Sequence, residues 1–346
     1  MKIGFDVQYK PHDAVYAALR LSDSFRFLGY DTTLFSSKAP NHIYGCNWDN
    51  LVVTPNDMPY DKWLKGLSHV VWPVPPSKDV VQRVGKSIVT IALAPWDCLP
   101  GYIKGSLKFC AHVVTPCLEN SAIVRKESNI RDVSTIEWDS SIPMTRKDSG
   151  DTDASRPKVL IPLHSSQGLR CDLESLFNLI SGVQDRCPQA DITVSYSSKG
   201  SPWEVKRALA RYVKGNRNIK IVIDETTCTS SLLLYGHSDI VLWPAEIEGF
   251  GLVGIESIYM GTPVVAYDIP PMSNIITNGV NGMLVSCDSG GSKGGVMYAE
   301  PNPSEFITVA ANAINERILD LNKNTKVGRR SVRSMFYSQW KKIIEG

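Results

Sequence analysis

Two carboxylates stand eight positions apart in Glu248-Gly249-Phe250-Gly251-Leu252-Val253-Gly254-Ile255-Glu256, and a Gly-Phe-Gly turn follows the first. An apolar strand-like run, 239–244, enters this block, and a helix-like run, 252–260, leaves it. A glycine turn that opens a helix presents backbone N–H groups to a ligand, and the helix dipole adds about half a positive charge at that end. Diphosphate is a natural guest there. A carboxylate would repel it, so Glu248 and Glu256 are expected to meet neutral hydroxyls, for which carboxylates are good acceptors. A diphosphate cradle beside two hydroxyl-binding carboxylates suits a nucleotide sugar.

The elements that must position this block alternate along the chain. Residues 3–7 read as a strand, 13–28 as an amphipathic helix capped by Asp13 and stopped at Gly29, and 32–35 as a second strand. Short apolar runs follow at 51–53, 69–72, 88–92 and 112–114, with helices predicted at 79–85 and 119–128. The polar stretch 145–157 has no apolar period and reads as a linker. A second series begins at 158–163, with strands at 192–196, 219–223, 239–244 and 263–267 and helices at 172–184, 202–214, 230–235 and 303–317. Residues 288–295 read as a Gly/Ser loop and 330–344 as an aromatic, basic helix. Short buried strands separated by helices predict parallel sheets covered on both faces. The division expected is an N-terminal domain, 1–145, a linker, 146–157, a C-terminal domain, 158–328, and a final helix, 329–346, returning to the N-terminal domain. Ligands of open parallel sheets bind at the carboxyl ends of the strands.

A chain of 346 residues has room for two such domains, and 43% hydrophobic with 21% charged residues is a globular composition. A net charge of +2 supplies no global field for nucleic acid or membrane. No signal peptide and no span-length apolar run is read, so the expected place is the cytoplasm, with peripheral membrane contact open. The eight cysteines show no C-x-x-C spacing, and reduced thiols without a metal or a disulfide framework are expected.

The stretch 230–285 resembles the donor-binding core of retaining glycosyltransferases of family 4, whose α/β architecture is GT-B: two Rossmann-like doubly wound domains facing a cleft. Glu248 and Glu256 match that family's E-x7-E motif, and Gly249-Phe250-Gly251-Leu252 its glycine turn. Gly261-Thr262-Pro263-Val264 and Asn278-Gly279-Val280-Asn281-Gly282-Met283-Leu284-Val285 match the strand and turn that follow. Outside this stretch the resemblance is looser, and in the N-terminal half it is architectural. It implies that Glu248 contacts and stabilises the donor sugar, that Glu256 holds the nucleoside ribose, and that the backbone of Phe250, Gly251 and Leu252 holds sugar and phosphates.

Several positions depart from that family. Where it usually carries Gly-Arg and then Lys-Gly, this chain reads His164-Ser165-Ser166-Gln167-Gly168-Leu169-Arg170-Cys171-Asp172. Arg170 is the candidate cation for the diphosphate, since a guanidinium binds phosphate bidentately, or it is a surface Arg at a helix start. Ser165 and Ser166 either donate to phosphate or cap the helix. Asn274 stands where the family often has Glu. The usual Gly-Gly loop after the first strand is replaced by Gln8-Tyr9-Lys10-Pro11-His12-Asp13, where His12 is an acceptor-side candidate or a solvated loop residue. Asp97, just past the 88–92 strand, is a candidate catalytic residue or a turn cap. Trp96 beside it is a candidate stacking platform, while Trp48, Trp63 and Trp72 fit core or interface.

The reading reached is a glycosyltransferase that moves a sugar from a nucleotide-diphosphate sugar, UDP- or GDP-linked, to a hydroxyl acceptor. The resemblance implies retention of configuration, no metal and no cofactor. A glycan or glycolipid acceptor is expected, with a hydroxymethylated DNA base as the minority choice. A second class stays open: a nucleotide-sugar binder without turnover, or a scaffold partner of an active transferase. A dinucleotide-dependent oxidoreductase is the weakest of the readings.

Overall fold

The computed structural model describes residues 1–7, 12–36, 58–94, 105–130, 132–138, 155–163, 171–197, 203–213, 219–224, 228–293, 296–317, 320–321, 325 and 332–346. The chain divides into two compact units. The first is Met1–Ser141 with Lys293–Val296 and Ser331–Gly346, and the second is Ile142–Ser292 with Met297–Arg330.

The first unit runs β1 (Lys2–Asp6), α1 (His12–Phe27), β2 (Asp31–Phe35), α2 (Tyr60–Trp63), β3 (His69–Trp72), α3 (Lys78–Arg83), β4 (Val89–Leu93), β5 (His112–Thr115), α4 (Leu118–Ser128) and β6 (Ser134–Thr135). All six strands are parallel, in the order β2-β1-β3-β4-β5-β6. The near-continuous apolar strands follow from that arrangement, because a parallel sheet is covered on both faces. Phe35, Trp63, Leu67, Val70, Trp72 and Val81 fill one layer, so Trp63 and Trp72 are core residues. The strand order reverses between β1 and β3, the place where such sheets open a crevice at their carboxyl ends. There the buried Asp6 accepts hydrogen bonds from Tyr60 Oη at 2.9 Å and Trp72 Nε1 at 3.0 Å. Burial and the Asp6 charge push the Tyr60 phenol far above its ordinary pKa.

The second unit runs β7 (Lys158–Leu163), α5 (Leu173–Arg186), β8 (Asp191–Ser197), α6 (Trp203–Val213), β9 (Ile219–Asp224), α7 (Cys228–His237), β10 (Ile240–Trp243), α8 (Leu252–Tyr259), β11 (Val264–Tyr267), α9 (Met272–Ile275), β12 (Gly282–Val285), β13 (Asp288–Lys293), β14 (Val296–Glu300) and α10 (Pro303–Asn312). The parallel sheet has the order β12-β11-β10-β7-β8-β9. Counted within the unit this is 3-2-1-4-5-6, the Rossmann order, with its switch point between β7 and β10. Strand alternation sorts the two faces. Val159, Ile161, Ile240 and Leu242 pack with α5 and α10, whereas Leu160, Val241 and Trp243 pack with α7, α8 and α9.

The expected Gly/Ser loop at 288–295 is overturned. Residues Asp288–Lys293 form β13, hydrogen-bonded to β14 in a two-stranded sheet. Glycine and serine weaken a strand without barring it from pairing, and the partner supplies Val296 and Tyr298, both good strand formers. The run at 51–53 and residues 146–154 of the expected linker lie outside the described residues.

The last helix, α11 (Val332–Glu345), belongs to the first unit. Trp340 is fully buried with its ring edge-on to Phe25 of α1, centroids 5.1 Å apart, and Tyr30 Oη donates to Glu345 at 2.8 Å. Trp340→Ala is expected to destabilise the first unit by about 3–5 kcal/mol, the usual cost of truncating a buried aromatic, as read by urea unfolding.

Candidate functional site

Strand β10 ends at Trp243, and the chain turns through Pro244 to Glu248 before α8 begins. The Glu248 carboxylate is buried, so it must be met by donors. Trp243 Nε1 donates to Oε2 at 2.8 Å, and the Gly249 and Gly251 N–H groups donate to Oε1 at 3.0 and 3.1 Å. The side chain thus closes the glycine turn on itself. Gly251 sits at the N-cap of α8 in the left-handed region, φ +71°, where a side chain is strained. A Cβ there would collide with Ile275 and lie 3.2 Å from Pro271, and one at Gly254 would lie 2.8 Å from Met272. The α9 segment therefore presses against the first turn of α8, and the positive φ at Gly251 makes a side chain there strained whatever the space.

Gly251 has no side chain to cap α8, and among the described residues no other side chain does so. Its first N–H groups, at Leu252, Val253 and Gly254, have no partner inside the helix by geometry, and the positive end of the dipole lies with them. Glu256, buried and four residues beyond Leu252, shares a helix face with it.

The other side of the switch point differs. Asp172 caps α5, accepting from Ser175 N at 2.9 Å, and hydrogen bonds from the Ser175 side chain and backbone hold its carboxyl below the ordinary range. Glu246, which sequence reasoning passed over, lies beside it. Burial first, and then the Asp172 charge, push the Glu246 pKa up, and its carbonyl accepts from Ala299 N of β14 at 2.8 Å. The one signal was its place two residues before Glu248. The N-terminus of α5 is thus capped by acidic groups, while that of α8 is bare.

Of the remaining candidates, Asp97, Trp96, Ser165, Ser166 and Arg170 lie outside the described residues. His12 is the first residue of α1, and its side chain is likewise outside them. The topology still relates two of these segments. Because β7 and β10 are paired neighbours, Val159 opposite Ile240, the exit of β7 toward 164–170 and the exit of β10 toward Glu248 lie at the same end of the sheet. Asn274 is exposed on α9. Among the described residues, no three His, Cys, Asp or Glu side chains group to hold a metal, and no helix is long and apolar enough to cross a membrane.

Residues 221–291, which contain this turn, match the family described as glycosyl transferases group 1. The whole chain overlays the pneumococcal O-GlcNAc transferase GtfA, solved with UDP and GlcNAc, at a TM-score of 0.70 with 11% identity, covering 100% of this chain and 98% of that one. It overlays WaaG, a glycosyltransferase involved in lipopolysaccharide biosynthesis, at 0.67 with 13% identity, covering 99% and 100%. The fold is GT-B. In sequence the chain is similar to a D-inositol 3-phosphate glycosyltransferase of Corynebacterium diphtheriae, 26% identical over 187 residues. That match takes in 50% of this chain and 43% of the relative, so it spans less than half of the relative's length.

Two substitutions separate the parts of the turn. Glu248→Ala strands three buried donors and is expected to lower stability by about 3 kcal/mol in urea unfolding. Gly251→Ala forces a side chain into a positive-φ position already filled by Ile275, with an expected loss of about 1–3 kcal/mol in the same assay.

Proposed function

We propose that this chain is a glycosyltransferase that moves a sugar from a nucleotide-diphosphate sugar to a hydroxyl acceptor with retention of configuration. The observation that carries the reading is the uncapped N-terminus of α8 at the β7/β10 switch point, framed by two buried glutamates eight residues apart within the glycosyl transferases group 1 segment. In this reading the diphosphate sits on the Leu252–Gly254 N–H groups, and Glu256 accepts from the ribose hydroxyls. Glu248 holds the turn against the donor sugar through the hydrogen bonds it makes to Gly249 and Gly251. Arg170, Ser165 and Ser166 are proposed to face the phosphates from the β7 exit, with Asp97, Trp96 and His12 on the acceptor side.

The chemistry follows from those roles. The bond from the anomeric carbon to the phosphate oxygen breaks, and the acceptor oxygen bonds to that carbon from the same face. The acceptor proton passes to the departing phosphate, and the nucleoside diphosphate leaves. The bare helix end and the cation stabilise the charge that develops on it, so no metal is required. The acceptor is proposed to be a glycan or a glycolipid. UDP is the first nucleotide to try, since the GtfA structure holds UDP with GlcNAc.

The test is the melting-temperature shift of the purified protein with UDP, GDP, ADP and CMP, for wild type and Glu256→Ala. At a hundredfold excess over the dissociation constant, a ligand stabilises by about 2.7 kcal/mol. A shift with one nucleoside diphosphate that Glu256→Ala abolishes is expected. No shift with any of the four would count against a donor site here.

A further inference from the structure

The residue that fixes Glu248 is not in the turn at all. Trp243 ends β10, five residues earlier, and its ring is buried among Leu160, Leu232, Tyr235, Val253 and Met272. An indole N–H buried in an apolar layer needs an acceptor, and this one finds it in Glu248 Oε2 at 2.8 Å. The indole can only donate, so it needs an acceptor oxygen at 248, which a carboxylate supplies and a leucine would not. With Oε2 held by Trp243, Oε1 is left facing the Gly249 and Gly251 N–H groups, which it accepts at 3.0 and 3.1 Å. The side-chain orientation and the shape of the turn are therefore one choice, made from the core.

We infer that Trp243 is a positioning residue of the donor site, its indole N–H holding Glu248 in the one orientation that keeps the glycine turn open toward a nucleoside diphosphate. As a statement about the donor this rests on the function proposed above. As a statement about the turn it rests only on the three hydrogen bonds. Phenylalanine keeps an aromatic ring in the layer and removes the donor, which makes Trp243→Phe the informative change.

The experiment has two arms. In the first, the Trp243 indole N–H signal is identified by its loss in Trp243→Phe, and its exchange with solvent is followed in wild type and Glu248→Leu, which has no acceptor. The expected result is at least a tenfold loss of protection in Glu248→Leu, the size of one lost charge-assisted hydrogen bond. Unchanged protection overturns the contact. In the second arm, calorimetry compares UDP with uridine in wild type, Trp243→Phe, Glu248→Leu and the double variant. Trp243→Phe is expected to weaken UDP about fivefold to tenfold and uridine less than twofold, because the turn serves the phosphates. The double variant is expected to bind like Glu248→Leu alone, since both changes break the same tie. A general loss of packing would weaken both ligands alike, and additive effects would mean two separate roles; either result overturns the inference. If Trp243→Phe does not fold, Trp243→Tyr, which also lacks the indole donor, replaces it in the second arm and is read by the same ratio. Wild type binding neither UDP nor uridine would instead sink the UDP-donor reading, and with it the donor role of Trp243, while the first arm still decides the tie to the turn.

Discussion

A carboxylate taken out of water must be surrounded by donors, and the Glu248 side chain meets that demand with one indole N–H and two backbone N–H groups. The rest of the candidate site depends on that arrangement. The two backbone donors bend 248–251 into a closed turn, the turn places Gly251 at positive φ, and positive φ starts α8 without a capping side chain. Because the Gly249 and Gly251 N–H groups are spent on Glu248, the groups that the proposed function leaves for a donor are those of the next residues. The glycines at 251 and 254 have a second constraint, since α9 occupies the space where their side chains would be.

Sheet topology decides where this turn lies. In the order 3-2-1-4-5-6 the helices leaving β7 and β10 depart to opposite faces, and the gap between their starts is the natural crevice. The two helix starts flanking that gap are chemically unlike. Asp172 caps α5, and Glu246 adds a second carboxyl group beside it, so the first N–H groups of that helix are already met by an acidic side chain. At α8 the end is bare and carries the positive pole of the helix dipole. Under the proposed function, a diphosphate is thereby assigned to the α8 side.

Much of this was legible in the residues. Glycines at 249 and 251 between an apolar run and a helical run announce a turn, and the alternation of short apolar strands with helices announces parallel sheets. The Rossmann order itself was not legible, because neighbours in a parallel sheet are not neighbours in sequence. Nor were the hydrogen bonds of Glu248 to Trp243, Gly249 and Gly251, since a glutamate beside a glycine turn does not announce which donors it meets. Trp243 carried no signal of its own, since a tryptophan in an apolar strand is first a core residue. Glu246 was missed for a similar reason, as its partner Asp172 is far away in sequence. The loop expected at 288–295 failed through propensity, with glycine and serine outweighing the pairing of Asp288–Lys293 with the strand that follows.

The most direct measurement is a titration of the isotope-labelled protein with UDP, following backbone amide shifts by TROSY spectroscopy. Phosphate binding at the bare end of α8 predicts the largest shifts at Leu252, Val253 and Gly254, with the Asp172–Ser175 amides of the capped α5 moving far less. UDP that moves the α5 amides while leaving Leu252–Gly254 still would contradict it.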